Sequence, residues 1–340
     1  MPTPQQNNAS FVRGEKYAAM VDRLYLEAIK EAAKLVSIAK FNPDKPFSFN
    51  DFPLAKKRIE KILNSLAKDM QVTILKAIEQ EWNFSNAEND ALVKSLFPKL
   101  DYQPYMNRNI DALKAFQRRK VSGMNLSERI WNMTLQFKQE MQLAIDVGLS
   151  EGRSADELSR DIRKYLKDPD KLFRRVRDSR GNLVLSKAAR AYHPGQGKYR
   201  SSYKNAMRVT RTETNMAYRE SDYQRRQKFD FIVGQEVHLS NNHPVDDICD
   251  NLKGRYPKDF KFTGWHPHCR CHCLSVLATR EELNRIERAH LSGQQPDFKS
   301  VNNVPKVPEG FTSWINDNRE RIKRYKSKPY FMQDNPQYVS

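Results

Sequence analysis

Three histidines and three of the chain's four cysteines fall within eleven consecutive positions, TGWHPHCRCHC from Thr263 to Cys273. No other stretch restricts the fold as much, because a segment this dense in soft ligands must close around a metal ion, form a cross-link, or bury its thiols in a small core. Zinc takes four ligands, usually supplied as two close pairs that folding brings together. The remaining cysteine is Cys249, preceded by Asp246 and Asp247. One half-site is then Asp246 or Asp247 with Cys249, and the other comes from His266, Cys269 and Cys271. On an extended strand Cys269, Cys271 and Cys273 share a face, but alternate positions lie about 7 Å apart, so three thiolates cannot all reach one zinc at about 2.3 Å. The expected ligands are Cys249, His266, Cys269 and Cys271, with Asp246 as an additional candidate. Cys273, His268, His272 and His243 are left outside the set.

A structural zinc is favoured over a catalytic one. Catalytic zinc needs an open position and a nearby general acid or base, and the deaminase pattern H-x-E followed by P-C-x-x-C is missing from the chain. Two readings without metal stay open: a disulfide from Cys249 to Cys269 or Cys271, and reduced cysteines in a small core. Thiols crowded locally, and not dispersed through a short chain, point to a reducing compartment.

Charge decides which partners are plausible. Lysine and arginine total 59 against 41 acids, a net +18, which calls for nucleic acid, an acidic protein face or an anionic membrane. The membrane is the weakest of these, since no apolar run approaches the roughly 18 to 20 residues of a bilayer span. The N-terminus MPTPQQNNASFVRGEKY lacks an apolar signal segment, so a cytosolic start is expected. The excess is concentrated: residues 171–230 hold 16 lysines and arginines against five acids. At about 100° per residue, Lys204, Arg208, Arg211, Arg219 and Arg226 fall within an arc of about 80° on a helix spanning 204–228, with Ala206, Val209, Met216 and Ala217 opposite. These five are the candidate nucleic-acid contacts, weighed against an ordinary solvated face. Glu213 lies on the small, apolar side and needs a partner, for which an internal arginine is the expected explanation.

The rest reads as helices separated by polar breaks. Apolar residues at three- and four-residue spacing predict helices over 16–40, from about 54, and over 72–82, 87–96, 109–119 and 126–147, the last with a stripe of Ile130, Met133, Phe137, Met141 and Ile145. Ser154 and Glu157 form a capping box that starts a helix running to 166. Turn signals at DSRGN and HPGQG follow, in irregular chain with one hairpin. FDFIVGQEVHLS and SVLAT read as strands, TREELNRIERAH as a short helix, and FTSWINDNRERIKRYKSK as a final basic helix. The fold class is mainly α with a small β-containing, Cys/His-rich module (α+β). The expected divisions are an N-terminal helical region over 1–120, a second domain over 121–280 with the Cys/His module at 235–278, and a connector, basic helix and tail over 281–340.

The stretches GLSEGRSADEL, LFRRVRDSRGNLVLSKAA, RVTRTETNMAYRE, DICDNLKGRYP and GWHPHCRC, taken in that order, resemble the phage Mu protein F-like family of minor head, or head morphogenesis, proteins. The resemblance covers about residues 126–278, and the HP-x-CRC signature after an R-T-E helix carries most of it. It implies a virion component present in few copies near the portal vertex. Portal protein, phage double-stranded DNA and other head or scaffold proteins would be its partners. It also implies a virion-head location, with host cytoplasm during assembly, and the chain itself is read as non-enzymatic. By position, Arg211, Thr212 and Glu213 match the R-T-E helix, and Cys249, His266, Pro267, Cys269 and Cys271 match the cysteine region. Many relatives have C-x-x-C ahead of L-x-G, and here Asp246 stands in the first cysteine's place. The alternative from another class is a metal-dependent nuclease or other phage-borne enzyme using the His/Cys cluster. An ADP-ribosyltransferase module is disfavoured, because the E-x-E triplet Glu79-Gln80-Glu81 lies early, in an ordinary helix.

Overall fold

The computed structural model describes residues 4–39, 42, 45–100, 105–168, 175–185, 200–240, 246–296, 299–325 and 328–339. His243 and the HPGQG turn lie outside the described residues. The chain is mainly helical with a small antiparallel sheet and a Cys/His cluster, as the α+β reading expects. It divides into two compact units that are discontinuous in sequence: one of residues 16–75 and 123–210, the other of 1–15, 76–122 and 211–340. No helix among the described residues is long and apolar enough to cross a membrane.

Helices α1 (Pro4–Ala33), α2 (Pro53–Leu96), α4 (Leu126–Ser150), α5 (Ala155–Lys167) and α6 (Ser202–Gln227) supply the frame, with α3 spanning Ile110–Arg118. Three separate helices expected between 54 and 96 are one. The stretch 54–96 contains neither glycine nor proline, and its polar break at Asn86, Asn89 and Asp90 is buried instead of exposed. Arg225 donates to Asn86 Oδ1 at 3.0 Å and to Asp90 Oδ1 at 2.7 Å, and Asn89 donates to Asp222 at 3.0 Å. With their polar groups satisfied by α6, these residues have no reason to interrupt the helix.

In the unit of 16–75 and 123–210, the expected stripe of α4 is buried along its length, Ile130, Met133, Phe137, Met141 and Ile145 all facing the core. Tyr25 meets the edges of Phe137 and Tyr203 at 5.6 and 5.7 Å. Both elements of the Ser154–Glu157 capping box form at the start of α5. Glu140, fully buried on α4, accepts the backbone N–H of Ser202 at 2.8 Å and also its hydroxyl, so it caps α6 from a distance in sequence. A carboxylate at a helix N-terminus satisfies orphan donors and complements the helix dipole. Glu140→Gln keeps an acceptor but loses the charge, and should cost about 1 kcal/mol, a shift of a few degrees in Tm by thermal unfolding. The hairpin expected at DSRGN is present, β1 (Arg175–Arg177) pairing antiparallel with β2 (Leu183–Leu185), its turn held by Asp178 Oδ1 accepting the N–H groups of Arg180 and Asn182 at 2.9 Å each.

In the other unit a three-stranded antiparallel sheet has the order β4-β3-β5, with β3 at Ile232–His238, β4 at Gly254–Tyr256 and β5 at His272–Leu277. Helix α7 (Ile248–Leu252) precedes β4, and α8 (Arg280–Leu291) follows β5. The expected last basic helix, FTSWINDNRERIKRYKSK, is broken into α9 (Glu309–Asp317) and α10 (Arg319–Lys323), and a further short helix, α11 (Tyr330–Gln333), forms in the tail expected to follow it. These short helices are not an appendage. Phe311, Ile315, Phe331 and Met332 bury themselves in one cluster with Tyr256, Phe260, Phe262, Trp265 and the three cysteines 249, 269 and 271. At about 150 to 250 Å² of buried surface per aromatic side chain, such a cluster is the main reason for the C-terminal segment to dock.

Candidate metal centre

Two elements bring the cysteines together. Asp247 opens α7 with a capping box, its Oδ1 accepting the backbone N–H of Cys249 at 2.7 Å while Asp250 returns a bond to the Asp247 N–H. That cap places Cys249 in the first turn, fully buried. The segment before β5 makes a tight turn, with the Cys269 N–H bonded to the His266 carbonyl at 3.1 Å. His268 takes a left-handed φ of 59° in that turn. Cys269 and Cys271 thereby face Cys249 from the other side of the pocket.

The ligand atoms of Cys249, Cys269 and Cys271 all lie within 4.8 Å of one another, and those of Asp247, Cys249 and His266 form a second such group that shares Cys249. Cys249 Sγ is 3.9 Å from Cys269 Sγ and 3.2 Å from His266 Nε2. Sulfurs bound tetrahedrally at about 2.3 Å would be about 3.8 Å apart, so the spacing suits one cation. All four cysteines are free, so the disulfide alternative is not formed. His266 Nδ1 sits 2.9 Å from the Pro267 carbonyl, which makes it the protonated nitrogen and leaves the Nε2 lone pair turned toward the sulfur. The donor set fits a thiophilic metal such as zinc.

Electrostatics agree with a shared charge among the thiols. Burial disfavours ionising Cys269, but hydrogen bonds from Cys249 and Cys271, with Arg219 and His266 nearby, outweigh it and hold its pKa well below that of an ordinary thiol. Cys249 moves the opposite way, because its hydrogen bond to Cys269 favours the neutral thiol, as do the bond to Cys271 and burial. Cys271 is also raised: its bond with Cys249 works against the rise, and its bond with Cys269 and burial outweigh that. Like charges this close cannot all persist without a cation between them.

The four expected ligands, Cys249, His266, Cys269 and Cys271, are gathered here, though His266 joins through Cys249 and not through a common group with the other two thiols. The carboxylate beside them is that of Asp247, 3.2 Å from His266 Nε2. Asp246 is exposed and belongs to neither group. Asp247 is turned inward because it must cap α7, which sends its neighbour outward. Cys273 is spare as expected: its thiol donates to Gln235 Oε1 at 3.1 Å and lies 3.0 Å from an Arg226 nitrogen. His272 stacks on His238, and burial pushes its pKa down to about 4.

Helix α6 does not carry the expected solvent-facing basic stripe. Lys204 is exposed and Arg208 half-buried, but Arg211 makes a two-pronged ion pair with Glu15 at 2.7 Å, and Arg219 and Arg226 are buried. Arg219 donates to the carbonyls of Thr263 at 3.0 Å, Cys269 at 2.9 Å and Cys271, with its guanidinium 5.1 Å from the Phe262 ring. Arg226 donates to Gln235 at 2.7 Å and pairs with Asp222 at 2.9 Å. Thr212 accepts the His268 N–H at 3.0 Å, and Asn215 reaches the Cys269 carbonyl at 3.5 Å. The face read as a phosphate contact is the face that grips the cysteine segment. Periodicity sorts residues onto faces of a helix but does not say whether a face meets water or protein. Arg226→Ser should therefore lower Tm and leave the salt slope of DNA binding unchanged. A phosphate contact would instead reduce that slope by about one.

Glu213, 1% exposed, has the internal arginine it needs: Arg119 donates to it at 2.8 Å. Gly264 was not singled out from sequence, yet it is what lets Arg219 reach the turn. Its φ is +125°, and a Cβ there would stand 2.6 Å from an Arg219 nitrogen. Gly264→Ala should cost roughly 2 kcal/mol through strain and displaced donors, read as a lower Tm. Asn215 was missed as well, and Thr212 was placed only as part of the R-T-E motif. A signal existed for them, since Thr212, Asn215, Arg219 and Arg226 fall within an arc of about 60° on α6. Compared with protein-family models, with curated proteins and with solved structures, the chain matches none.

Proposed function

We propose that this chain is a minor head protein of a tailed phage or prophage, acting without enzymatic activity at the portal in head assembly and DNA packaging or delivery, and that a structural zinc closes its cysteine module. Its partners are portal protein, phage double-stranded DNA and other head or scaffold proteins. The ordered succession of motifs in the sequence supports this. The observation that carries it furthest is direct bonding between the R-T-E helix and the HPHCRC segment, with Thr212 and His268 joined 56 residues apart and Arg219 holding both cysteine carbonyls. Motifs that occur together for a folding reason have cause to touch. A site that ties α7 to the turn before β5 through buried thiols suits a metal that contributes folding energy. The case for DNA rests on the net charge of +18, and no longer on α6.

Mass spectrometry of purified heads, with co-expression of the chain and its portal protein, tests the proposal. The chain should be present in few copies and should copurify with portal. Its absence from heads, or metal-dependent cleavage of plasmid DNA by the zinc-loaded protein, would overturn it in favour of the enzymatic alternative.

A further inference from the structure

Resting on the reading that the cysteine cluster binds a metal ion, we propose that Asp247 and His266 are alternative occupants of the fourth position of a three-thiolate centre, which keeps its ion when either one leaves. The three thiols are buried, whereas the side chains of His266 and Asp247 are 34% and 32% exposed and face each other at 3.2 Å. A carboxylate that only orients a ligand histidine bonds the ring nitrogen that does not touch the metal. Here that nitrogen, Nδ1, is taken by the Pro267 carbonyl, and Asp247 Oδ2 stands at Nε2, the ligating nitrogen itself. Two donors thus converge on one coordination position beside Cys249, with which both form a common ligand group. The cap of α7 does not interfere, because it uses the other oxygen, Oδ1. With three thiolates already bound, neutral imidazole is the favoured occupant, and the carboxylate takes the position when the 266–268 turn moves away. The centre then holds its metal while that turn is displaced, and it presents one exchangeable position at the protein surface.

Cobalt(II) titration of the reduced, metal-free full chain tests this, since the thiolate-to-cobalt absorption counts sulfurs and the ligand-field bands report the fourth donor. His266→Ala and Asp247→Asn are each expected to bind one cobalt through three thiolates, weakened about tenfold. The ligand-field bands of His266→Ala should shift toward those of an oxygen donor. The double variant should lose on the order of a thousandfold, more than the product of the singles, because each residue covers for the other. Asparagine still offers an oxygen to cap α7, and unchanged circular dichroism will show that the fold persists. A double variant no weaker than His266→Ala would overturn the inference alone, leaving Asp247 a helix cap. Absence of the thiolate band in the unaltered protein would overturn the metal reading and the inference with it.

Discussion

Cys269→Ser is expected to lower Tm by about 10 °C and to loosen the C-terminal segment 309–339. A structural zinc site contributes on the order of 10 kcal/mol to folding in small modules, and losing one of four ligands should remove roughly 4 kcal/mol of it. For a unit of this size each kcal/mol shifts Tm by about 2 to 4 °C. The loss spreads because Cys249, Cys269 and Cys271 share a single core with Phe311, Ile315, Phe331 and Met332. Cys271→Ser should cost about the same, and the double variant scarcely more, since both serve one site. Elemental analysis should find about one zinc per chain in the unaltered protein and much less in either variant. On the proposed role at the portal, heads made with either variant should contain little of the protein. Normal incorporation of a stably folded variant, with infectivity alone lost, would favour a catalytic ion.

Arg219→Met is expected to cost about 3 to 5 kcal/mol and to weaken zinc binding by ten- to a hundredfold. The residue is 9% exposed and donates to three backbone carbonyls, two of them on the candidate ligands Cys269 and Cys271. Methionine fills the volume but leaves those acceptors buried and unpaired. It also frees the backbone that aims Cys269 and Cys271, as loss of outer contacts does at other metal sites. Lysine should restore part of the stability and less of the affinity, because one ammonium cannot span carbonyls that a planar fork reaches together. Thermal unfolding and competition with a chromophoric chelator measure the two effects separately. An unchanged Tm would return Arg219 to the surface role first read for it.

The features legible in the sequence were local ones. Helical period along α4, the Ser154–Glu157 box, the DSRGN turn and the strand β3 each depend on residues within a turn or two of one another, and backbone sterics and hydrogen bonding act at that range. Ligand chemistry is local as well, so Cys249, His266, Cys269 and Cys271 could be chosen before their distances were known. Choices between near-equals were decided by tertiary structure. Of two adjacent aspartates, the cap of α7 turned Asp247 inward. On the basic face of α6, Lys204 stayed exposed while Arg219 became an internal donor, because buried carbonyls at Thr263, Cys269 and Cys271 had to be satisfied. The polar break in α2 was misread for the same reason. Whether a charged or polar residue meets water or a partner is set by segments far along the chain, and no periodicity within a helix records which of them will arrive.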